Sequence, residues 1–529
     1  MSVEARWVVR ILSFSVLVSI GCGQADLSSL PQVDHLILVV VDTLRADVVG
    51  CYGGDAETPV MDRLASEGVC FTAARSHIPI TGPSHTSMFT SLWPSEHGVR
   101  NNTQLLDEGF PVLAELVQEK GFSTAAFVSL GVLKAKFGLD RGFESYIDDF
   151  GHDWFRDAAD LNRDVFAWLE RAGPSPAFLW VHYSDPHEPY ASPDKSYPEV
   201  RVVQGNEELA VLPADGRRHK IRVAVHNGQA SLRFEGGTSG PAEGQLVTVE
   251  GGRLSPNGRV QAGGGMFPWF PDQARNNFVT ALPGVIDLQP DDSEVEFVDF
   301  RFRLNLKLSP EETREAYLEE VAFVDGALGE LLEALERAGW LERALLVLVS
   351  DHGEGLGDHD HDAHIEQLYD SLLHVPLIMW APGLLPAGVK VDSPVGLIDI
   401  LPTVGAVMGI EPPGDIRGRN LLPLMRGETI ASSPFLAQTF RPEAQRDMEA
   451  IAFDGFKVIR EAGSAALELF DLDADPAELH DLSLSRAQTA SELAEYLDRM
   501  LEETDDVSGH TPPIDEETRL QLQALGYEH

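Results

Sequence analysis

Thr81, within Thr81-Gly82-Pro83-Ser84-His85, sets a hydroxyl at the mouth of a helix read over residues 84–92. Pro83 suits the first turn of that helix, where a missing N–H costs nothing. The free N–H groups and positive dipole end of such a terminus favour a tetrahedral oxyanion. A hydroxyl held there is a nucleophile once a metal ion has ionised it. A lone Thr in this position more often serves as a plain helix cap. The nucleophile reading gains from acids and imidazoles at three other points of the chain: Asp42, the stretch from His182 through Asp185 to His187, and Asp351-His352.

Each of those groups ends a short apolar run. Leu36-Ile37-Leu38-Val39-Val40-Val41 leads into Asp42-Thr43, and Ala177-Phe178-Leu179-Trp180-Val181 leads into His182-Tyr183-Ser184-Asp185-Pro186-His187. Leu345-Leu346-Val347-Leu348-Val349 leads into Ser350-Asp351-His352-Gly353-Glu354. Short β-branched runs of this kind suit fully buried strands of a parallel sheet. Two more runs, 124–128 and 376–380, lack the terminal acid. Ligands of open α/β sheets bind beyond the carboxyl ends of the strands, so the three acid-bearing ends converge on a metal or phosphate-type site. Helical patterns lie between the strands. Residues 58–68 carry a cap, a first-turn Pro and a Gly stop, 111–120 end at Gly121, and 310–339 form a long amphipathic helix. In the last, Tyr317, Val321, Val324, Leu328, Leu331, Leu332 and Leu335 recur at helical spacing and face the sheet. Alternating strand and helix gives an α/β sandwich.

These motifs resemble the sulfatase branch of the alkaline phosphatase superfamily over most of residues 34–200 and 310–485. Val41-Asp42-Thr43-Leu44-Arg45-Ala46-Asp47 is similar to the first metal-binding segment. Residues 81–85, continuing to Thr90-Ser91-Leu92 and Glu96-His97-Gly98-Val99, are similar to the nucleophile loop and its helix. Asp185-Pro186-His187-Glu188-Pro189-Tyr190 and residues 350–354 resemble the later site motifs. Glu468-Leu469-Phe470-Asp471-Leu472, with Asp475-Pro476 and Glu478, resembles the C-terminal strand and loop. The resemblance implies an alkaline-phosphatase-like α/β/α sandwich with a mostly parallel central sheet and a small C-terminal α+β portion.

The departures agree with one another. Sulfatases carry Cys or Ser where Thr81 stands and oxidise it to formylglycine, a route closed to Thr. Cys70, in Cys70-Phe71-Thr72-Ala73-Ala74-Arg75, lacks the required Pro and the spacing to Arg. His85 replaces the Arg of the loop, Thr43 the second Asp of the first segment, and His352 the Asn of a final Asp-Asn pair. Val132-Leu133-Lys134-Ala135-Lys136 occupies the region of a sulfate-holding Lys-x-His segment that has no counterpart here. A ligand set of Asp42, Thr81, Asp351 and His352 resembles that of the Thr-nucleophile phosphodiesterases, nucleotide pyrophosphatases and phosphoethanolamine transferases of the superfamily. An imidazole in the set favours Zn²⁺ or Mn²⁺ over Ca²⁺ or Mg²⁺. The resemblance implies double displacement through Thr81, with Asn102, 21 positions on, donating to the transferring group. Asn101 is adjacent and could serve instead. His85 and His187 are candidates to protonate the leaving oxygen or bind the anion, and His182 to bind substrate. A second ion is left open, from Asp185 and His187 with His359, His361 or His364.

The chain has 529 residues, 43% hydrophobic, enough for two or three domains. Its formal charge of −44 argues against nucleic acid or an anionic membrane surface as partner. Residues 1–22 read as a lipoprotein-type export signal. Arg6 and Arg10 precede an apolar core at 11–20 that is short for a membrane span, and Ser19-Ile20-Gly21-Cys22 resembles a lipoprotein cleavage box. Lipidation of Cys22, followed by Gly23, would tether the protein to the cell envelope, in the periplasm or at the outer membrane. Cys51 and Cys70 then remain, as a disulfide or as two thiols. Residues 200–308 read as an inserted β-sandwich-like module between 34–199 and 309–430 of the catalytic domain. Ile221, Val223 and Val225 alternate up to Asn227-Gly228, Ala230, Leu232 and Phe234 alternate beyond it, and Phe300 through Leu308 alternate again. Trp269 and Phe270 within it are core or sugar-stacking residues. Residues 431–529 form a C-terminal subdomain and tail.

The function expected is metal-dependent hydrolysis of an anionic ester, phosphate before sulfate, on a glycan or lipid. Sulfuric ester hydrolysis without formylglycine, phosphoethanolamine-type transfer and non-catalytic glycan binding are the alternatives.

Overall fold

The computed structural model describes residues 33–511 apart from 150–154, 174–175, 189, 191–198, 441–446, 505–506 and 508. Between 199 and 308 it describes only the strands. The export segment with Cys22, the Asn227-Gly228 turn, Trp269, Phe270, Leu306 and Leu308 lie outside the described residues.

The central sheet has eight strands: β1 (His35–Val41), β2 (Val69–Phe71), β3 (Ser123–Phe127), β4 (Ser145–Ile147), β5 (Ala177–Tyr183), β6 (Ala344–Val349), β7 (Leu377–Trp380) and β8 (Val389–Val391). Their order is β8-β2-β7-β6-β1-β5-β3-β4. All run parallel except β7, which is antiparallel to both β6 and β2. The sheet is thus mostly parallel, as the buried apolar runs require.

Side chains of β1 alternate between two cores. Leu36, Leu38 and Val40 pack on one face with Phe89, Val404 and Leu401. Ile37, Val39 and Val41 pack on the other with Tyr317, Val321, Val324 and Leu328. Each such fully buried aliphatic side chain contributes about 1.5–3 kcal/mol. The long helix is Pro310–Arg337. Ser309 and Glu312 cap it reciprocally, the Ser309 hydroxyl accepting from the Glu312 amide (3.3 Å) and Glu312 Oε2 from the Ser309 amide (2.8 Å). All seven of its apolar residues singled out by spacing are buried.

The helix after the candidate nucleophile begins three residues earlier than expected, at Thr81, and runs Thr81–Thr90 with every residue buried. Within 199–304 lie two five-stranded sheets. The expected hairpin is one pair of them, Arg218–His226 with Gln229–Glu235, with Val225 opposite Ala230 and Ile221 opposite Phe234. A four-stranded antiparallel sheet, from Phe435–Thr439 to Glu468–Asp471, packs Leu436, Ile451, Val458 and Leu469 against Ala490, Leu493 and Leu497 of the helix Ala487–Glu502. Cys51 and Cys70 are free thiols. Among the described residues no helix is long and apolar enough to cross a membrane.

Candidate active site

Strands β5 and β6 both pair with β1, so the three acid-bearing ends lie side by side. Past β1 the Asp42 amide donates to Tyr183 O (2.8 Å), and Thr43 turns to φ 56°, a left-handed conformation that β-branched residues avoid. Neighbours hold that bend. The Thr43 amide donates to Asp351 Oδ1 (3.3 Å), and the Tyr317 hydroxyl donates to Thr43 O (2.8 Å). Asp351 Oδ1 also accepts from the His352 amide (2.9 Å), which leaves Oδ2 without a hydrogen-bond partner. Neither carboxylate oxygen of Asp42 has one, although the residue is fully buried.

Thr81 is the first residue of its helix. Ile80 holds the cap position and makes no side-chain capping bond. The Thr81 hydroxyl lies instead 3.3 Å from His352 Nε2. The helix mouth is not the bare anion cradle expected of it, because the Gly82 amide donates to Asn102 Oδ1 (2.7 Å). That bond fixes the orientation of the Asn102 amide and leaves its Nδ2, buried and without a protein acceptor, as the donor at this spot.

Three buried imidazoles have their Nδ1 protons committed. His352 Nδ1 donates to Gly353 O (2.9 Å) and His85 Nδ1 to Thr81 O (2.8 Å). His182 Nδ1 donates to Ser129 Oγ (3.2 Å), whose own proton goes to Ser184 Oγ (2.7 Å). By this network Nε2 is the lone-pair nitrogen in each neutral ring. His182 Nε2 stands 3.4 Å from Asp42 Oδ2, and His352 Nε2 stands 3.8 Å from Asp42 Oδ1 and 3.5 Å from Asp351 Oδ2. Burial holds all three rings neutral, each pKa pushed down to about 4. Burial raises Asp42, and burial with the nearby Asp42 charge pushes Asp351 up to about 7. Lone pairs facing carboxylates at these distances repel unless a cation lies between them. The donor set therefore fits a divalent ion. Among the described residues, candidate ligand atoms form two groups, each within 4.8 Å: Asp42, Asp351 and His352, and His85, His182 and Asp351.

His187 and His364 approach the same region. Their ring centroids lie 5.0 Å apart, and His364 lies 4.7 Å from His352. His187 Nδ1 bonds Glu188 O (2.8 Å), and His364 Nδ1 contacts both oxygens of buried Glu354 at 3.3 Å. Burial pushes Glu354 up to about 7. Of the other residues expected at a second ion, Asp185 is buried and His359 partly so. Asp185 Oδ1 accepts from the Ala158 amide (3.1 Å) at the head of the helix Ala158–Leu169. His359 stacks on Tyr369, centroids 3.6 Å apart. Sequence reasoning missed Ser129, Glu354 and Tyr317, which orient His182, His364 and Thr43. Only Glu354 carried a signal, its place in the motif at 350–354.

A family model described as Sulfatase matches residues 34–410, and one described as N-sulphoglucosamine sulphohydrolase, C-terminal, matches residues 360–506. An N-acetylglucosamine-6-O-sulfatase of Bacteroides thetaiotaomicron is 23% identical over 519 residues, 92% of this chain and 88% of the relative. The phosphonate monoester hydrolase of Agrobacterium radiobacter shares the fold at a TM-score of 0.59 and 19% identity, over 88% of this chain and 95% of its own. A protein solved with its substrate D-glucosamine-2-N,6-O-disulfate does so at 0.61 and 18%, over 89% and 98%.

Proposed function

Because this chain belongs to the sulfatase family and is a hydrolase of ester bonds, we propose that it cleaves phosphate esters, mono- or diester, in preference to sulfate esters, with Thr81 as nucleophile. The observation that carries this reading is the Thr81 hydroxyl, turned away from capping and set 3.3 Å from His352 Nε2 among orphaned carboxylate oxygens. Asp42, Asp351, His352 and Thr81 would hold a divalent cation, Zn²⁺ or Mn²⁺ before Ca²⁺ or Mg²⁺, which lowers the proton affinity of the hydroxyl and offsets charge on the transferring group.

The remaining work falls to the chain. Thr81 releases its hydroxyl proton to water as Oγ1 forms a bond to phosphorus, the bond from phosphorus to the leaving oxygen breaks, and that oxygen takes a proton from water. Asn102 Nδ2 donates to a non-bridging oxygen as charge develops there. A water molecule then attacks the Thr81 ester, the Thr81–phosphorus bond breaks, and Thr81 Oγ1 regains a proton from water. His187, whose Nδ1 donates to Glu188 O (2.8 Å), is the residue proposed to take that water's proton. A Thr ester lacks the second hydroxyl with which an aldehyde hydrate expels its group, so both displacements take place at the central atom. The named sugar substrates of two relatives support an ester carried on a glycan. The segment at 1–22 supports attachment to the cell envelope through Cys22.

The test is turnover of metal-stripped enzyme with p-nitrophenyl phosphate, its bis-ester and p-nitrophenyl sulfate, each with Zn²⁺, Mn²⁺, Mg²⁺ or Ca²⁺ restored. Phosphate ester cleavage restored by Zn²⁺ or Mn²⁺ and abolished in Thr81→Ala is expected. Faster sulfate cleavage overturns the substrate preference, and undiminished turnover by Thr81→Ala overturns the nucleophile.

A further inference from the structure

Beside the half of the site that holds Thr81 lies a second set of inward-facing atoms, on His85, His182, Asp42 and Asp351. Asp42 divides its carboxylate. Oδ1 faces His352 Nε2 (3.8 Å), while Oδ2 faces His182 Nε2 (3.4 Å) on the other side. Asp351 Oδ2 stands between two rings, 3.5 Å from His352 Nε2 and 3.7 Å from His85 Nδ1. The His85 and His182 rings are 5.1 Å apart, centroid to centroid, and both Nε2 atoms are buried without a protein partner. Their opposite nitrogens are anchored to Thr81 O and Ser129 Oγ, which is how histidine ligands are commonly oriented.

The charge balance asks for a second positive group. The strongest electrostatic neighbours of Asp42 and Asp351 are imidazoles and carboxylates, with no lysine or arginine among them. His85 stands where the sulfatase resemblance has an arginine. A neutral imidazole cannot replace a guanidinium charge, but it can hold a cation that does.

We propose that the chain binds a second divalent cation through His85 and His182, joined to the Asp42–Asp351–His352 half-site by the shared carboxylates of Asp42 and Asp351. It rests on the reading of that first half-site as a metal centre. Two imidazoles with carboxylate oxygens suit Zn²⁺ or Mn²⁺. Two ions about 3.5–4 Å apart clamp the attacking and leaving oxygens of an in-line displacement. His85 is then a ligand rather than a proton donor, in keeping with its committed Nδ1–H.

The experiment loads metal-stripped full-length protein with Mn²⁺ alone. It counts bound ions by elemental analysis and records the electron paramagnetic resonance spectrum. Two ions per chain with an exchange-coupled spectrum are expected, falling in His182→Gln to one ion with an isolated Mn²⁺ signal. Saturation of the wild type at one ion overturns the second site and leaves the first standing. No bound ion overturns both. Two ions without coupling, or two retained by a folded His182→Gln, put the second ion elsewhere and overturn the assignment. The wild-type count and spectrum decide the matter should the variant fail to fold.

Discussion

Thr81 is a secondary alcohol, and its oxidation stops at a ketone, so the aldehyde chemistry of a formylglycine is closed to it. What the residue has instead is placement: a hydroxyl facing His352, and a neighbouring amide that engages Asn102 and turns the Asn102 NH₂ inward. Asn102→Ala should lower kcat about 10²–10³-fold with KM little changed, the expected loss of one preorganised donor to a developing charge. Steady-state kinetics on a phosphate ester measure it, and an unchanged kcat would remove Asn102 from the mechanism. Asp351 gives a second expectation. In the cation-free site burial and Asp42 push it up to about 7, while the three histidines stay neutral down to about 4. At about pH 6 Asp351 is therefore protonated and cation uptake expels that proton; at about pH 8.5 it is already ionised and contributes none. Affinity should rise up to about tenfold per pH unit below 7 and level off above it. Calorimetry at both pH values, in buffers of different ionisation heat, reads the difference directly.

At the scale of elements, the site is legible in the sequence wherever a strand ends in its own ligand. β1, β5 and β6 each end in candidate site residues, which is why Asp42, His182 and Asp351 were readable. β7 has no terminal acid for a reason the sequence hides: it runs antiparallel, so its C-terminal end points to the other edge. β3 does end at the right edge, but what it delivers is Ser129, an ordinary residue by type whose work is visible only once it meets His182. His359 is a different case: a loop rich in ligand types suggested it, and what the structure adds is that its ring stacks on Tyr369. The C-terminal sheet is clamped to the catalytic body by charges that sequence spacing could not pair. Lys457, wholly buried, bonds Asp370 and Glu478, each at 2.8 Å, and Arg75 bonds Asp370 at 2.7 Å. Burial alone would raise the Asp370 pKa, but Arg75 and Lys457 outweigh it and hold the carboxyl well below the usual range. Lys457→Met leaves two buried carboxyls short of a cation and should cost about 3–5 kcal/mol. Thermal unfolding against the wild type tests this, and a shift within error would mean that the clamp adds nothing.

At the scale of the whole molecule, 84 acidic residues stand against 40 basic ones. An anionic ester approaches this chain against a repulsive field. For such a substrate kcat/KM should rise as salt goes from about 0.01 to 0.2 M, because the Debye length shrinks from about 30 Å to under 10 Å. A phosphate bis-ester with one negative charge, set beside a monoester with two, serves as the control and should respond less. A fall with salt would mean that local charge at the site, rather than the net charge, governs capture. The pairing of β1 with β6 has a different kind of consequence. Thr43 and Asp351 touch although 308 positions separate them, and all of the 199–308 segment lies between. Loop closure of that length comes late and slowly in folding. A chain leaving the ribosome has Asp42 and Thr81 early, yet no competent centre until nearly two thirds of it has been made and threaded home. Hydrolysis is thus withheld from every copy whose synthesis stops short of His352, so that the centre is itself a check on how far the chain has been made.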